Sequence, residues 1–595
     1  MCSGCGFKRQ ARSVDYVVRL GNLDLHEVHI AATFAGIQPG EPFEILMSRA
    51  SPGTYRLHDF IKYVHDVHVI DSKGGRLDFE MPDPYRWLVP KHDGTVTISY
   101  TLFGDQADGT FNGIERDFVH LNVPASFVWS GSMTDVPIYL HVQPPQDSWD
   151  VATQLSLANT PFSFRAPNWE SFLDSPVRMG PMSWYSKSFG APDSVQHIRL
   201  AIQHQGATSL AELWSEKLWK VVEAQIRVFG ELPRYENGEY TFMAAFQPNV
   251  RTDGIAHRNS SVITCNCTLE DEGAALLRRF SHEFFHQWNL ERIRPKDLEP
   301  FNLQAAPMTD VLWFVEGFTR YYQDLSIRRA GITSNEQYAK EISDAVNAIR
   351  YSREKKEQSL LEISERALFE ENSPSNNVAK LNNAPLSFEK WGSVVALMLD
   401  LQLRADFDTS LDTFMQTMWQ RFGSTGQPYS FQDVQQTLVD VTEDPWFAQS
   451  FFERYVYNKR APYVGKLLSR YGFILRSTFR NKRFTGGTLE ETADGLLVSA
   501  VPIEGSPFWN AGIDFGDLVL SVNGTAITTD EQWEDLLLNS TVGQPWEVVF
   551  ISQDKVLKRR VDYSPDQTVE VLTLEETGEM PNEEVLIERQ KWLGM

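Results

Sequence analysis

The sequence predicts a multidomain α+β chain: a β-rich, antiparallel sandwich-like N-terminal domain, a mainly helical central domain and a small β-rich unit near the C-terminus. Three observations carry this reading. At 595 residues the chain exceeds what one hydrophobic core serves. Apolar residues alternate over short runs up to about residue 200 and take a helical period from Ser209 onward. Short apolar runs between glycine-rich turns then return over 466–563. The expected limits are 14–205, 206–465 and 466–563, with an extension over 564–595.

Composition excludes several classes. With 42% hydrophobic and 23% charged residues the chain reads as globular, and its net charge of −24 disfavours nucleic acid or an anionic membrane as partner. No apolar run approaches the roughly 18 residues of a transmembrane helix. The stretch Met1-Cys2-Ser3-Gly4-Cys5-Gly6 lacks the apolar core of a secretory signal. Four cysteines make no disulfide framework, so a reducing, cytoplasmic setting is expected, with Cys265 and Cys267 as small buried strand residues.

In the N-terminal part, Asp15 to Leu20, His26 to Phe34, Thr95 to Leu102 and Val136 to Val142 read as strands, separated by Gly, Pro, Asn and Asp. Leu210, Trp214, Leu218, Val221 and Val222 then follow helical spacing behind Ser209-x-x-Glu212, a capping-box start. Tyr240 to Phe246 is an expected strand. A loop follows, carrying Asp253-Gly254-Ile255-Ala256-His257-Arg258-Asn259-Ser260, and a helix begins near Gly273.

That helix ends in His282-Glu283-Phe284-Phe285-His286, the H-E-x-x-H pattern of zinc peptidases. Residues four apart share one helix face, so both imidazoles can meet one metal ion. Glu283, rotated about 100° from His282, is placed to act as general base. A catalytic zinc needs a third protein ligand. Glu316 stands thirty positions after His286 in the aromatic run Trp313 to Tyr322, where an acid is costly unless paired or metal-bound. The predicted zinc set is His282, His286 and Glu316.

His282 to Asn289, Arg292-Ile293-Arg294-Pro295 and Leu312 to Thr319 together resemble the glycyl aminopeptidase family of zinc metallopeptidases, gluzincins that bind metal through two His and one Glu. The resemblance extends to Ser51-Pro52-Gly53-Thr54-Tyr55 in the N-terminal domain and to Pro385 to Leu401 in the helical region. It implies a thermolysin-like catalytic domain, Zn2+ as cofactor and a peptide substrate with a small N-terminal residue, glycine or alanine. Gly254, Ala256 and His257 then become substrate-binding candidates. Two departures stand out. Ala256 replaces the family glutamate that anchors a substrate's α-amine, and Phe388 and Glu389 replace two tyrosines. A lost oxyanion donor costs about 10²–10³ in rate. These changes keep alternatives open: a catalytically weakened or endopeptidase-like relative, or a peptide-binding protein with a structural zinc.

Gly495 to Val501, Gly505 to Ile513 and Asp514 to Gly524 resemble a PDZ domain. Such domains add a peptide as a strand and hold its carboxylate on loop amides, for which Tyr471-Gly472-Phe473 is the candidate here. The partners implied are a peptide or protein substrate and a C-terminal peptide ligand. The amphipathic run Val585 to Leu593 is expected to dock on the protein's own surface.

Overall fold

The computed structural model describes residues 11–190, 195–248, 250–270, 273–306, 308–351, 358–370, 387–478 and 482–594. Cys2 and Cys5 lie outside these residues, as do 352–357 and 371–375 of the charged stretch 351–375, which the sequence marks as a surface excursion. The chain packs as two compact units, 1–308 with 415–430, and 309–414 with 431–595.

The first unit begins with a seven-stranded sheet in the order Ser156–Leu157, Ser163–Ala166, Ile138–Gln143, Ser13–Asn22, Glu27–Ala35, Thr95–Phe103, Val64–Ile70. Its inward residues alternate as the sequence demands: Val14, Tyr16 and Val18 on one strand and Val28, Ile30, Ala32 and Phe34 on the next are all buried. Each such Val, Ile or Phe contributes about 1.5–3 kcal/mol of burial. The sheet is not purely antiparallel, because Ser13–Asn22 runs parallel to Ile138–Gln143. A four-stranded sheet, Asp150–Ala152, Val177–Gly180, Val119–Leu121 and Gly113–Ile114, supplies Val177, Met179, Val119 and Leu121 to the same core.

A five-stranded mixed sheet follows in the order Ser183–Phe189, Gln196–His204, Glu239–Phe246, Ser260–Cys265, Asp253–His257. The central strands are buried along almost their whole length, as expected of strands covered on both faces. Asp253–His257 is an edge strand, antiparallel to Ser260–Cys265. The helix Thr208–Phe229 begins one residue ahead of Ser209, and Ala207 at its N-cap offers no side-chain bond, so the expected capping box is not formed. Cys265 and Cys267 are joined in a disulfide with Cα atoms 5.2 Å apart, where two separate buried thiols were expected. The strand ends at Cys265, and a bend at 266–267 turns the chain so that the two sulfurs meet.

In the second unit, helix Leu312–Arg329 packs along helix Phe388–Asp406. Gly317 and Gly392 meet there so closely that a Cβ on Gly317 would lie 2.4 Å from the Gly392 Cα. The C-terminal part holds a sheet in the order Leu489–Thr492, Gly495–Val498, Leu518–Val522, Trp546–Ser552, Lys555–Val561. Phe473–Ser477 is not part of it: that strand pairs with Val569–Thr573. Among the described residues no helix is long and apolar enough to cross a membrane.

Candidate metal centre

The helix Gly273–Phe285 is fixed by its apolar face. Phe280 packs against Trp214 and Phe242 with ring centroids 4.6 and 5.3 Å apart, and Phe284 against Tyr240 and Phe242 at 5.1 and 5.4 Å. With that face buried, His282 and Glu283 project from the remaining arc. Gln225 on the preceding helix donates to the Ser281 carbonyl at 2.6 Å and locks the rotation further.

The ligand atoms of His282, His286 and Glu316 all lie within 4.8 Å of one another. The two imidazole Nε2 atoms are 3.1 Å apart. Nitrogens sharing a tetrahedral zinc at its usual bond length stand about 3.3 Å apart, so the spacing fits. His286 Nδ1 lies 2.9 Å from the Asn289 carbonyl, an acceptor only. Nδ1 must therefore carry the proton, which leaves the Nε2 lone pair for a cation. Two imidazoles and a carboxylate suit Zn2+, and the site passes this test of donor chemistry.

Glu283 is buried, and its carboxylate lies against the edge strand. A Cβ on Gly254 would sit 2.5 Å from Glu283 Oε1, so only glycine allows this approach. The turn after that strand is clamped from the metal-helix side. Gln287 donates to the His257 carbonyl at 2.9 Å, while the buried Arg292 guanidinium reaches the Arg258 carbonyl and the Asn259 amide oxygen, each at 2.9 Å. The residues flanking H-E-x-x-H thus hold the end of the edge strand and the turn that follows it.

The other predicted substrate contacts are placed differently. His257 is buried, with Nδ1 2.9 Å from Asp174 Oδ1, and the other Asp174 oxygen accepts the Arg258 amide at 2.6 Å. Through Nδ1 its ring braces the turn. Ala256 is buried as well. Asp253, on the strand face opposite Gly254, accepts from the Gly109 amide at 3.0 Å and from the Thr110 hydroxyl at 3.4 Å, so its carboxylate serves the N-terminal domain's loop. Burial raises the Asp253 carboxyl above the usual range, and it raises that of Asp108 too, with Asp253 adding.

On the helical side, Ser387 caps its helix by accepting the Glu389 amide at 3.1 Å, Phe388 is buried, and Glu389 pairs with Arg320 at 2.7 Å. Tyr321 and Tyr322 do not replace the missing tyrosine hydroxyls, since they donate to Asp400 and Asp412 at 2.6 and 2.8 Å within the helical core.

The Tyr471-Gly472-Phe473 segment is not a free carboxylate loop. The Tyr471 and Gly472 amides donate to the Leu468 and Ser469 carbonyls at 3.0 and 3.2 Å, and their own carbonyls accept from Arg589 at 2.8 and 3.0 Å. The C-terminal helix Glu583–Leu593 occupies this place. Asp174, Gln225, Gln287 and Arg292 were not singled out from the sequence; the residues Gln287 and Arg292 lie in the stretches that carry the resemblance, whereas Asp174 and Gln225 give no local signal.

Family models match three stretches: the Peptidase M61 N-terminal domain over residues 15–181, the M61 glycyl aminopeptidase over 275–395 and a PDZ domain over 498–550. No curated protein matches the chain. Among solved structures, an aminopeptidase N family protein from Idiomarina loihiensis has a TM-score of 0.83 at 22% identity, covering 98% of this chain and 100% of its own. An M1 zinc metallopeptidase from Deinococcus radiodurans has a TM-score of 0.46 at 13% identity, over 76% of this chain and 95% of its own.

Proposed function

We propose that this chain, a zinc metallopeptidase built from the M61 peptidase N-terminal, M61 glycyl aminopeptidase and PDZ domains, releases small N-terminal residues, glycine or alanine, from peptides. The observation that carries it is the convergence of His282, His286 and Glu316 beside a buried Glu283 that rests on an edge strand. In this reading His282, His286 and Glu316 hold the metal. Bound there, Zn2+ supplies Lewis acidity to a carbonyl and lowers the pKa of water towards about 7. Glu283 takes the proton from the attacking water and hands it to the leaving amine. Gly254 leaves the carboxylate room to do so, and the edge strand Asp253–His257 lines up the substrate backbone by strand addition. The preference for glycine or alanine rests on the family's name alone. The domain limits we propose are 14–205, 206–465 and 466–563, with strands Ser183–Phe189 and Gln196–His204 lent to the sheet of the second domain and Phe473–Ser477 paired outside the third with Val569–Thr573.

The test is hydrolysis of glycyl- and alanyl-peptides by the zinc-loaded protein. Glu283→Gln should abolish turnover while zinc content stays at the parental level. Turnover that persists in the variant would remove Glu283 from its role. Comparing free with N-blocked peptides separates an aminopeptidase from an endopeptidase.

A second reading, a weakened enzyme or a peptide-binding protein with a structural zinc, is favoured by one set of observations. Ala256 offers no carboxylate, Phe388 no hydroxyl, and Glu389 is engaged by Arg320. The PDZ unit would then carry the function, taking a C-terminal peptide along the edge strand Leu489–Thr492. A cytoplasmic location is kept as a proposal from the sparse cysteines; the Cys265–Cys267 disulfide weighs against it.

A further inference from the structure

The edge strand Asp253–His257 meets Glu283 through Gly254, and the alternation of a strand sends Asp253 and Ile255 to the opposite face. Two loops of the N-terminal domain close on that face. A Cβ on Gly53 would lie 2.7 Å from Ile255 Cγ2, and a Cβ on Gly109 would lie 2.7 Å from Ile255 Cγ1 and 3.3 Å from its Cβ. Ile255 is buried against both. The Gly109 amide donates to Asp253 Oδ2 at 3.0 Å, and the Arg251 amide donates to the Ala107 carbonyl at 3.2 Å. The second loop is thus bonded to the strand and to the residues that lead into it. The buried Asn122 side chain fixes the two loops to each other, its Nδ2 donating to Ser51 Oγ at 3.0 Å and to the Thr110 carbonyl at 2.7 Å. Isoleucine is stiff at χ1, so a displacement of its γ carbons in a close-packed contact passes to the strand backbone.

We propose that the N-terminal domain is a positioning element for the reaction: its loops at Gly53 and Gly109, joined through Asn122, set the distance of the edge strand from Glu283 by their hold on Ile255. The inference rests on the peptidase reading and gives the domain a part in it. Gly109, Asn122 and Ile255 are positioning residues, acting on the carboxylate through Gly254.

The test is a double-variant cycle at Gly109 and Ile255 in the full-length, zinc-loaded protein. Gly109→Ala sets a methyl group against Ile255 and should lower kcat on alanyl-peptides about ten-fold or more, with KM within about two-fold of the parent and zinc content unchanged. Ile255→Ala removes the contact from the strand side and should lower kcat as well. In the double variant the added methyl faces the space that Ile255 leaves, and kcat should return to within about three-fold of the parent, the recovery expected of residues in contact. A merely structural role would lower melting temperatures and leave kcat per zinc-loaded chain at the parental value. That result overturns the inference, and so does a loss in Gly109→Ala that the second change does not relieve. If Gly109→Ala does not fold, Ile255→Ala decides alone, and a parental kcat there overturns the inference. Hydrogen–deuterium exchange over Asp253–His257 needs no turnover. It should be faster in each single variant than in the parent and the double variant, and equal exchange in all four overturns the loops' hold on the strand. A parent that cleaves neither glycyl- nor alanyl-peptides, yet gives this exchange pattern, discards the peptidase reading and keeps that hold.

Discussion

One hydrogen atom separates a working arrangement from a blocked one at position 254. The space a methyl group would need there is filled by Glu283 Oε1, 2.5 Å from the ideal Cβ position. Gly254→Ala should displace the carboxylate and lower kcat by about 10²-fold, the usual cost of a small misplacement of a catalytic group. Its zinc content, measured by atomic emission, should equal the parent's, because the ligands lie elsewhere. The sequence revealed His282, Glu283 and His286 because helix geometry fixes their spacing, and Glu316 because an acid among aromatics is conspicuous. It could not reveal that His257 is buried against Asp174, 83 positions away, since nothing local announces that pair.

Among the elements, the C-terminal helix Glu583–Leu593 was legible as amphipathic, but its docking place was not. Trp592 is fully buried, its ring lies 5.2 and 5.6 Å from those of Tyr471 and Phe473, and its Nε1 donates to the Tyr321 hydroxyl at 2.9 Å. Arg589 ties the same helix to the Tyr471 and Gly472 carbonyls and to Glu575. These contacts explain why Tyr471-Gly472-Phe473, expected from the PDZ resemblance to be a ligand loop, is instead a seat for the helix Glu583–Leu593. Trp592→Ala should cost about 3–5 kcal/mol in urea unfolding of the unit that contains it. A loss below about 1 kcal/mol would mean that the helix is a loose appendage. The edge strand Asp253–His257 makes a similar point: its sequence gave a loop, because Gly254 and the polar residues around it hide a strand whose partner, Ser260–Cys265, supplies the ladder.

For the molecule as a whole, the domain order was readable because the hydrophobic period changes at each boundary, from two to helical spacing and back. The parallel pairing of Ser13–Asn22 with Ile138–Gln143 was not, since a strand's alternation is blind to its partner's direction. The N-terminal domain also carries a pH liability. His58 is pulled down to about 3 by burial, with Arg56 adding, and His120 to about 3 by burial, with Arg178 and then His257 adding. Both stay neutral in the folded state, while the unfolded chain takes up protons below about pH 6.5. Stability from these groups is therefore complete above that pH and is lost as pH falls towards 3. At pH 5 the loss is about 2 kcal/mol for each group. Chemical unfolding at pH 7 and pH 5 should show a smaller drop in the double variant His58→Gln/His120→Gln than in the parent. An equal drop would assign the acid sensitivity to other groups.

The account stands on three side chains sharing one ion. Metal content per chain, measured by inductively coupled plasma mass spectrometry after zinc loading and dialysis, tests this most directly. The parent should retain one zinc, and Glu316→Ala should retain far less at the same free-metal concentration. A parent without zinc, or a Glu316→Ala protein that holds it as tightly, would contradict the account.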